Sequence, residues 1–342
     1  MAIGDTVIER WSVTVGGEIR GPFSFDQTTD LAPGTYVFTF ESDKDLVTES
    51  KSVTIPSGVE SYQVDVEYYD LPDVYVADFG GHRVQKFKAN GDFVAVYGTS
   101  SASSDDGDFN QPYGIAASSD GSFYVADRGN NRIQKFNSNF EYVSKWGEFD
   151  SEQAGQGKFS DLYGIAVDSS GYVYVIDNPL IQKFDSSGTF ITQWALQDGT
   201  NGSPQAYGIT VNPDGNIFVV DSVNAKIFKF TASGSEVSSW NTLYGVEQIA
   251  FDSDGYAYVT DYLRDMVYKL DSSGSQVDSW YVHYARGISI DSNDKLFISS
   301  VSYVRIDKYD SSGNLILNFG EYGSGDGQFN SPYGIACYPG AY

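Results

Sequence analysis

Hydrophobic and polar positions alternate in short runs along residues 112–146, and no helical periodicity competes with this pattern. Each run holds about five residues, rich in apolar, β-branched and aromatic types that favour strands. Gly, Asn and Asp separate the runs, and these residues accept the tight reversals that turns require. The pattern therefore predicts four short strands, over residues 112–116, 123–127, 132–136 and 142–146.

The same unit recurs along the chain. First strands repeat a Tyr-Gly-Ile-Ala motif at residues 163–166 and 333–336, with Tyr-Gly-Ile-Thr at 207–210 and looser versions at 247–250 and 285–288. Third strands place a lysine in register, namely Lys86, Lys135, Lys183, Lys229, Lys269 and Lys308. Fourth strands end on an aromatic residue, namely Tyr97, Trp146, Trp194, Trp240, Trp280 and Phe319. Four strands in a repeat of about 44 residues are typical of a propeller blade.

The two ends of the repeat region complement each other. The run at residues 73–78 has no Tyr-Gly-Ile-Ala strand before it, whereas the strand at 331–338 has no partner strands after it. We therefore predict an all-β fold with six blades, in which the C-terminal strand becomes the innermost strand of the first blade. Such closure leaves no strand edge unpaired where the ring joins.

Two segments carry a resemblance to a known family. Tyr-Val-Ala-Asp-Arg-Gly-Asn-Asn-Arg-Ile-Gln-Lys-Phe at 124–136 and Gly-Ser-Gly-Asp-Gly-Gln-Phe-Asn-Ser-Pro-Tyr-Gly-Ile-Ala at 323–336 closely resemble the NHL repeat of six-bladed β-propellers. They are most similar to its prokaryotic and archaeal cell-surface members, and the resemblance covers residues 73–342. It implies the fold but not the function, because propellers host many unrelated activities.

Residues 1–70 do not match the repeat. Alternating runs at 7–15, 36–40, 52–55 and 62–68 predict a small β-sandwich domain that precedes the propeller domain at 73–342. The segment at residues 31–40 resembles part of the short PEGA or immunoglobulin-like modules of surface proteins. We expect this domain to dock or to mediate self-assembly, with an edge strand at 6–15 available for strand addition.

Composition excludes several classes of partner. The formal charge of −25 and the pI near 4.2 argue against nucleic acid, which is bound through counterion release by Lys and Arg. No apolar run is long enough to span a bilayer, so no direct membrane insertion is expected. Residues 1–5 lack the features of a signal peptide. The acidity favours an extracellular or cell-surface location, including a virion appendage, reached after removal of a leader or by another route.

Five aspartates end predicted second strands, and they allow two interpretations. In the first interpretation, the aspartates form an acidic ring that binds a cation. In the second, each aspartate bonds the backbone of the following turn and faces the arginine of the third strand. Recurrence in successive blades favours the second interpretation, because a scaffold contact must be repeated whereas a site need not be. The residues are Asp78, Asp127, Asp177, Asp221 and Asp261.

The histidine count bears on catalysis. An NHL-like lyase class that cleaves peptidyl hydroxyglycine uses a channel zinc, which by resemblance requires three His together with an Arg and a Tyr. This chain has only 2 His, His82 and His283, so that site is excluded, although a two-His site completed by Asp or water stays open. No nucleophile elbow, phosphate-binding glycine loop or paired-cysteine motif is present. We expect no catalytic residues, no resident metal and no cofactor.

The favoured function is therefore a non-enzymatic binding or structural protein, acting as part of a filament, surface layer or virion appendage. Its propeller face would recognise protein or glycan, and its N-terminal domain would attach or self-assemble. The alternative is a metal-dependent lyase or hydrolase with its site in the propeller channel. Long connections at 98–111, 147–161, 195–205 and 320–330 should share one face, where binding sites usually lie. The candidate binding residues on that face are His82, Arg128, Tyr262, Arg264, Tyr281, His283, Tyr284, Tyr303 and Tyr322.

Overall fold

The chain divides into two compact units, Met1–Leu71 and Pro72–Tyr342. A computed structural model describes four strands of the first unit, and residues 72–152, 155–196 and 204–338 of the second. In the first unit the strands form one antiparallel sheet in the order β2-β1-β3-β4. They are β1 (Ser12–Val15), β2 (Glu18–Arg20), β3 (Gly34–Phe40) and β4 (Glu49–Ile55). The rest of the predicted β-sandwich lies outside the described residues.

The second unit is a six-bladed β-propeller, in which each blade is a four-stranded antiparallel sheet. Blade 1 contains β5 (Asp73–Asp78), β6 (Arg83–Lys88) and β7 (Phe93–Tyr97). Blade 2 contains β8 (Pro112–Ala117), β9 (Phe123–Asp127), the short 3-10 helix η1 (Arg128–Asn130), β10 (Arg132–Phe136) and β11 (Tyr142–Trp146). Blade 3 contains β12 (Leu162–Val167), β13 (Val173–Asp177), β14 (Leu180–Phe184) and β15 (Phe190–Ala195).

The other three blades repeat this order of strands. Blade 4 contains β16 (Ala206–Val211), β17 (Ile217–Asp221), β18 (Lys226–Phe230) and β19 (Glu236–Asn241). Blade 5 contains β20 (Val246–Phe251), β21 (Ala257–Asp261), β22 (Met266–Leu270) and β23 (Gln276–Tyr281). Blade 6 contains β24 (Ala285–Ile290), β25 (Leu296–Ser300), β26 (Arg305–Tyr309) and β27 (Leu315–Phe319). The last strand of the chain is β28 (Pro332–Tyr338).

The C-terminal strand closes the ring, which confirms the predicted topology. β28 pairs antiparallel with β5, so that Ile335 lies opposite Val76 and Cys337 lies opposite Val74. Cys337 is buried in this strand, and burial raises the pKa of its thiol. The innermost strands of successive blades, including β24 with β28 and β28 with β8, contact one another around a central channel.

Buried polar side chains hold the loop that leads into the closing strand. The Arg83 guanidinium bonds Asp78 (Nε to Oδ2, 3.1 Å) and donates to the carbonyl oxygens of Ser324 and Gln328, both at 2.7 Å. The backbone N–H of Asn330 donates to Asp78 Oδ1 at 2.7 Å. Every bond here joins residues far apart in sequence, except that between Asp78 and Arg83. The first blade therefore fixes the position of the tail.

Four of the six lysines on the third strands connect neighbouring blades. Lys135 donates from Nζ to the carbonyl oxygen of Ser186 in the next blade, at 2.9 Å. The Nζ atom of each of the six lysines also lies over an aromatic ring of its own blade, as that of Lys135 lies 5.3 Å from the ring centroid of Tyr124. Three further lysines bond the next blade, Lys183 to Ala232 (2.9 Å), Lys269 to Ser311 (3.3 Å) and Lys308 to Ala89 (2.8 Å).

The aromatic residues that end the fourth strands pack on turns of the following blade. The ring of Trp194 covers Gly234, where a Cβ would lie only 2.5 Å from the indole Cε3. Gly234 also has φ +87°, a left-handed backbone that costs a side chain about 1 to 2 kcal/mol. A glycine is therefore required here for two separate reasons, which are the backbone conformation and the close contact with tryptophan.

We expect Gly234→Ala to destabilise the propeller more than Gly215→Ala does. Gly215 has φ +78° but no atom within 4 Å of its missing Cβ, so alanine there carries only the backbone cost. Alanine at 234 must also displace Trp194, which adds about 1 to 3 kcal/mol. Urea unfolding of both variants measures the difference. Equal midpoints would show that the contact between tryptophan and glycine does not support blade packing.

Candidate functional site

The propeller has two distinct faces. The antiparallel strand order places the connections from second to third strands, and from one blade to the next, on one face, which we call the loop face. Turns such as Asp168–Gly171 between first and second strands lie on the opposite, turn face. The long connections at 98–111 and 320–330, and the described parts of the one at 147–161 (147–152 and 155–161), lie on the loop face because they join consecutive blades. Most of the predicted connection at 195–205 lies outside the described residues.

The aspartates at the ends of second strands anchor these connections. Asp127 accepts hydrogen bonds from Asn110 N (2.7 Å) and from the Arg132 Nε (2.7 Å), and Asp177 accepts from the backbone of Ser160 and Asp161 at 2.7 Å each. Burial raises the pKa of Asp127, against the opposing effect of these bonds. Asp221 and Asp261 accept hydrogen bonds from the backbone of the turn after their strand, as the scaffold interpretation predicted. Asp127 and Asp177 instead bond the backbone of the connection that leads into their blade.

Six side chains from equivalent positions of the innermost strands meet at the loop-face end of the channel. We call them the inner ring: Tyr113, Tyr163, Tyr207, Glu247, Arg286 and Tyr333. The aromatic members contact one another, with centroid distances of 5.0 Å for Tyr113 to Tyr163, 4.8 Å for Tyr163 to Tyr207 and 5.1 Å for Tyr113 to Tyr333. The channel mouth is therefore aromatic, except where one acid and one base interrupt it.

Glu247 and Arg286 form an ion pair within this ring. The Nη1 atom of Arg286 lies 2.7 Å from Oε1 and 2.8 Å from Oε2 of Glu247. The guanidinium carbon also lies over the rings of Tyr262 and Tyr333, at 4.7 and 4.9 Å from their centroids. The Glu247 side chain is 4% exposed, and burial raises the pKa of its carboxyl to about 7 although Arg286 acts in the opposite direction. Burial also raises the pKa of the Tyr113 hydroxyl, and Glu247 adds to that effect.

Residues that directly follow the second strands surround the inner ring. Phe79 packs edge-on against Tyr113 (6.3 Å between centroids) and Tyr333 (4.9 Å). Arg128 lies over Tyr163 at 4.6 Å and donates from Nη2 to its hydroxyl at 3.0 Å. We call this set the outer ring, and its members are Phe79, Arg128, Asn178, Ser222, Tyr262 and Val301.

A second aromatic group lies on the loop face of blades 5 and 6. We call Tyr281, His283, Tyr284 and Tyr303 the rim cluster. The imidazole lies 4.8 Å from the ring centroids of both Tyr284 and Tyr303. Its Nδ1 lies 3.0 Å from the Tyr281 hydroxyl and 3.1 Å from Asp265 Oδ2. The three tyrosines are 59%, 44% and 52% exposed in the order of the sequence.

The predicted site residues thus form two groups, and three further residues lie apart from them. Arg128 and Tyr262 belong to the outer ring, and the rim cluster contains Tyr281, His283, Tyr284 and Tyr303. The remaining three are separate. His82 accepts a hydrogen bond at Nδ1 from the backbone of Gln111 (3.1 Å), Arg264 bonds Asp261 (2.9 Å) and the carbonyl of Tyr244, and Tyr322 is 73% exposed on the loop before β28.

Side chains that could ligate a metal are dispersed in the described part of the chain. Within residues 72–152, 155–196 and 204–338, no three or more His, Cys, Asp and Glu side chains are grouped so as to hold a metal ion. His82 and His283 have different partners, as described above. In the part of the chain that the structure describes, no helix has the length and apolarity needed to cross a membrane.

The inner ring was not among the predicted site residues, although the sequence contained a signal for it. The Tyr-Gly-Ile-Ala motif becomes Glu247-Gln-Ile-Ala in blade 5 and Arg286-Gly-Ile-Ser in blade 6. A charged residue at a position that is otherwise tyrosine marks a departure from the scaffold. These two departures meet as an ion pair because the blades are neighbours.

The opposite half of the channel has different chemistry. A cavity of about 340 Å³ opens there, and its lining contains one isoleucine from every blade together with polar residues such as Asp168, Asn212 and Gln248. No inner-ring residue lines this cavity, so the ring separates it from the loop face. The isoleucines are Ile115, Ile165, Ile209, Ile249, Ile288 and Ile335.

Comparison with known proteins supports the fold. The NHL repeat family matches residues 109–136. A protein of unknown function from Bacteroides caccae is 13% identical, covering 78% of this chain and 98% of that one, with a TM-score of 0.60. A chain of a nidogen/laminin complex is 15% identical, with 78% of this chain and 98% of that one covered and a TM-score of 0.56. A catalytically inactive virginiamycin B lyase from Staphylococcus aureus, solved with quinupristin, is 20% identical, with 66% of this chain and 74% of that one covered and a TM-score of 0.50. No curated protein matches.

We expect Glu247 to make folding stability depend on pH in an unusual direction. Its pKa rises from an ordinary 4.5 to about 7 on folding, so the folded state binds more protons than the unfolded state between these values. The free energy of unfolding should therefore fall as pH rises through this window, by about 1 to 3 kcal/mol in total.

Urea unfolding at several pH values measures this effect, with Glu247→Gln as the comparison. The variant carries a neutral amide at every pH and so resembles the protonated form of Glu247. It should therefore lack the Glu247 contribution to the slope, and its stability relative to the unaltered protein should rise with pH across this window. Parallel pH dependence in the two proteins would contradict the raised pKa.

Proposed function

We propose that this chain is a non-enzymatic recognition protein whose loop face binds a protein or glycan partner. We also propose that residues 1–70 form a β-sandwich module that attaches the propeller or self-assembles. An extracellular or cell-surface location, including a virion appendage, accords with this role. The partner is not expected to be nucleic acid, because a formal charge of −25 repels polyphosphate.

The rim cluster is the observation that supports recognition most directly. Tyr281, Tyr284 and Tyr303 keep about half of their surface exposed, yet each ring is held against His283. Tyrosines that are already ordered lose little entropy on binding, and they supply both apolar area and a hydroxyl. A surface with these properties has the composition of a binding hot spot.

Further apolar side chains extend this surface on the loop face. Tyr244 and Leu263 belong to neighbouring connections of blades 4 and 5, and they are 58% and 59% exposed. The Arg264 guanidinium bonds the carbonyl of Tyr244 and so holds the two connections together. Exposed apolar groups that are contiguous commonly mark sites of interaction.

The test uses two arrays, one of purified glycans and one of purified extracellular protein domains, probed with the full chain. We expect a specific partner on one of them. The double variant Tyr281→Ala, Tyr303→Ala should weaken that binding about tenfold or more, because it removes two exposed anchors.

Tyr172→Ala is the matched control, since Tyr172 is a 38% exposed tyrosine on the turn face. Its binding should equal that of the unaltered protein. The proposal fails if neither array captures the chain, or if the double variant binds as tightly as the control.

A further inference from the structure

We propose that the channel mouth, formed by the inner ring and Arg128, binds one residue of a neutral carbohydrate. This inference rests on the proposed recognition role and narrows it to a ligand class and a place. It follows from four properties of the mouth: unused donors on two guanidinium groups, unused tyrosine hydroxyls, balanced charge and partly exposed aromatic rings.

Two guanidinium groups at the mouth have donors to spare. Arg286 uses Nη1 for Glu247, and Arg128 uses Nη2 for Tyr163 and for Asp161 at 3.4 Å. Nη1 of Arg128 and Nη2 of Arg286 have no hydrogen-bond partner in the described part of the chain, and the two side chains are 31% and 22% exposed. The Nε atoms are also unpartnered, but they are buried and cannot reach a ligand. A guanidinium carries five N–H donors in a fixed plane. The mouth therefore offers free donors beside Tyr163, from Arg128, and beside Tyr333, from Arg286. A ligand with several oxygen atoms could accept hydrogen bonds from both.

The tyrosines add groups that both donate and accept. The hydroxyls of Tyr113, Tyr262 and Tyr333 have no hydrogen-bond partner among residues 72–152, 155–196 and 204–338. A phenolic hydroxyl donates one hydrogen bond and also accepts. Sugar hydroxyls have the same dual character. A polyhydroxylated ring is thus better matched to this surface than a ligand that carries acceptors alone.

The charges at the mouth are balanced internally. At a pH above the raised pKa of Glu247, which is about 7, Arg286 is paired with an ionised carboxylate, and Arg128 lies near Asp161. Neither guanidinium is then free to neutralise an anion. The formal charge of −25 further disfavours acidic ligands. A cationic ligand would compete with Arg286, which already lies over the rings of Tyr262 and Tyr333. A neutral ligand meets neither obstacle.

Aromatic rings supply the apolar contact that a sugar needs. Tyr163, Tyr207 and Tyr333 are partly exposed, and Phe79 and Tyr262 widen the aromatic area around them. Binding sites combine such apolar walls with a few placed polar groups. The apolar face of a sugar ring would pack on the tyrosines while its hydroxyls bond Arg128 and Arg286.

The experiment probes a printed array of neutral and acidic oligosaccharides with the full chain, and then titrates the best neutral oligosaccharide by calorimetry. Arg128→Gln removes donors at a half-exposed position, and Tyr333→Phe removes one hydroxyl while it keeps the ring. We expect about a tenfold or greater loss of affinity for Arg128→Gln and a smaller loss for Tyr333→Phe. Tyr172→Ala should bind like the unaltered protein.

Salt separates a neutral ligand from a charged one. Affinity for a neutral oligosaccharide should change little between about 0.05 and about 0.5 M salt, because no net charge is neutralised. The inference is overturned if only acidic oligosaccharides bind, if affinity falls steeply with salt, or if neither mouth variant weakens binding.

The two proposals fail separately. Binding to an extracellular protein that depends on Tyr281 and Tyr303, with no binding to neutral oligosaccharides, would overturn the sugar site and leave the recognition role intact. Thermal unfolding of Arg128→Gln and Tyr333→Phe checks that lost binding does not reflect lost folding.

Discussion

The close approach of the innermost strands is the constraint on which the rest of the structure depends. A Cβ on Gly287 would lie 1.9 Å from the carbonyl oxygen of Tyr333, and one on Gly208 would lie 2.2 Å from that of Glu247. No side chain fits between blades at these two glycines. The residue before each such glycine therefore lies at the channel mouth, whereas the isoleucine after it lines the cavity on the other side. Blade packing in this way defines the position and size of the inner ring.

The departures from this rule are coupled to one another. Blade 5 has Gln248 where other blades have glycine, and the Thr260 hydroxyl donates to the carbonyl oxygen of Arg286 at 2.6 Å. In blade 6, Ser299 donates to the carbonyl oxygen of Tyr333 at 2.9 Å. Equivalent second-strand positions in the other blades are apolar. The blades that bring charge to the mouth thus also carry buried hydroxyls, which hold the backbone of two inner-ring residues, Arg286 and Tyr333.

The sequence predicted the fold far better than the site, and the reason is physical. Strands, turns and ring closure arise from contacts that every blade must repeat, such as Lys135 reaching the next blade or Trp194 covering Gly234, so they appear as periodicity. A site arises where the repeat is broken. Glu247 and Arg286 were visible as breaks, but their pairing depends on the lateral order of blades, which spacing alone does not emphasise.

For exposed residues on the loop face, too, the sequence alone did not show which of them would form a site. Tyr281, His283 and Tyr303 were predicted as binding residues from their loop positions, and they meet because the connection into blade 6 lies beside the connection within it. His82 looked equivalent in the sequence, yet its ring nitrogen is used to bond the backbone of Gln111. Composition indicates which residues are suited to binding, but only the hydrogen-bond partners show which of them remain available.

Rigidity is the property that unites the loop face. Even its long connections are tied to strands, because Arg132 donates to the carbonyl oxygens of Ser104, Asp105 and Asp108 at 2.7 to 2.9 Å. The inner ring is built on strands whose backbones touch. A ligand at the mouth would therefore meet groups already in place, and little ordering would be required on binding. Because the mouth cannot adapt to unlike ligands, its selectivity must come from the fixed positions of Arg128, Glu247 and Arg286.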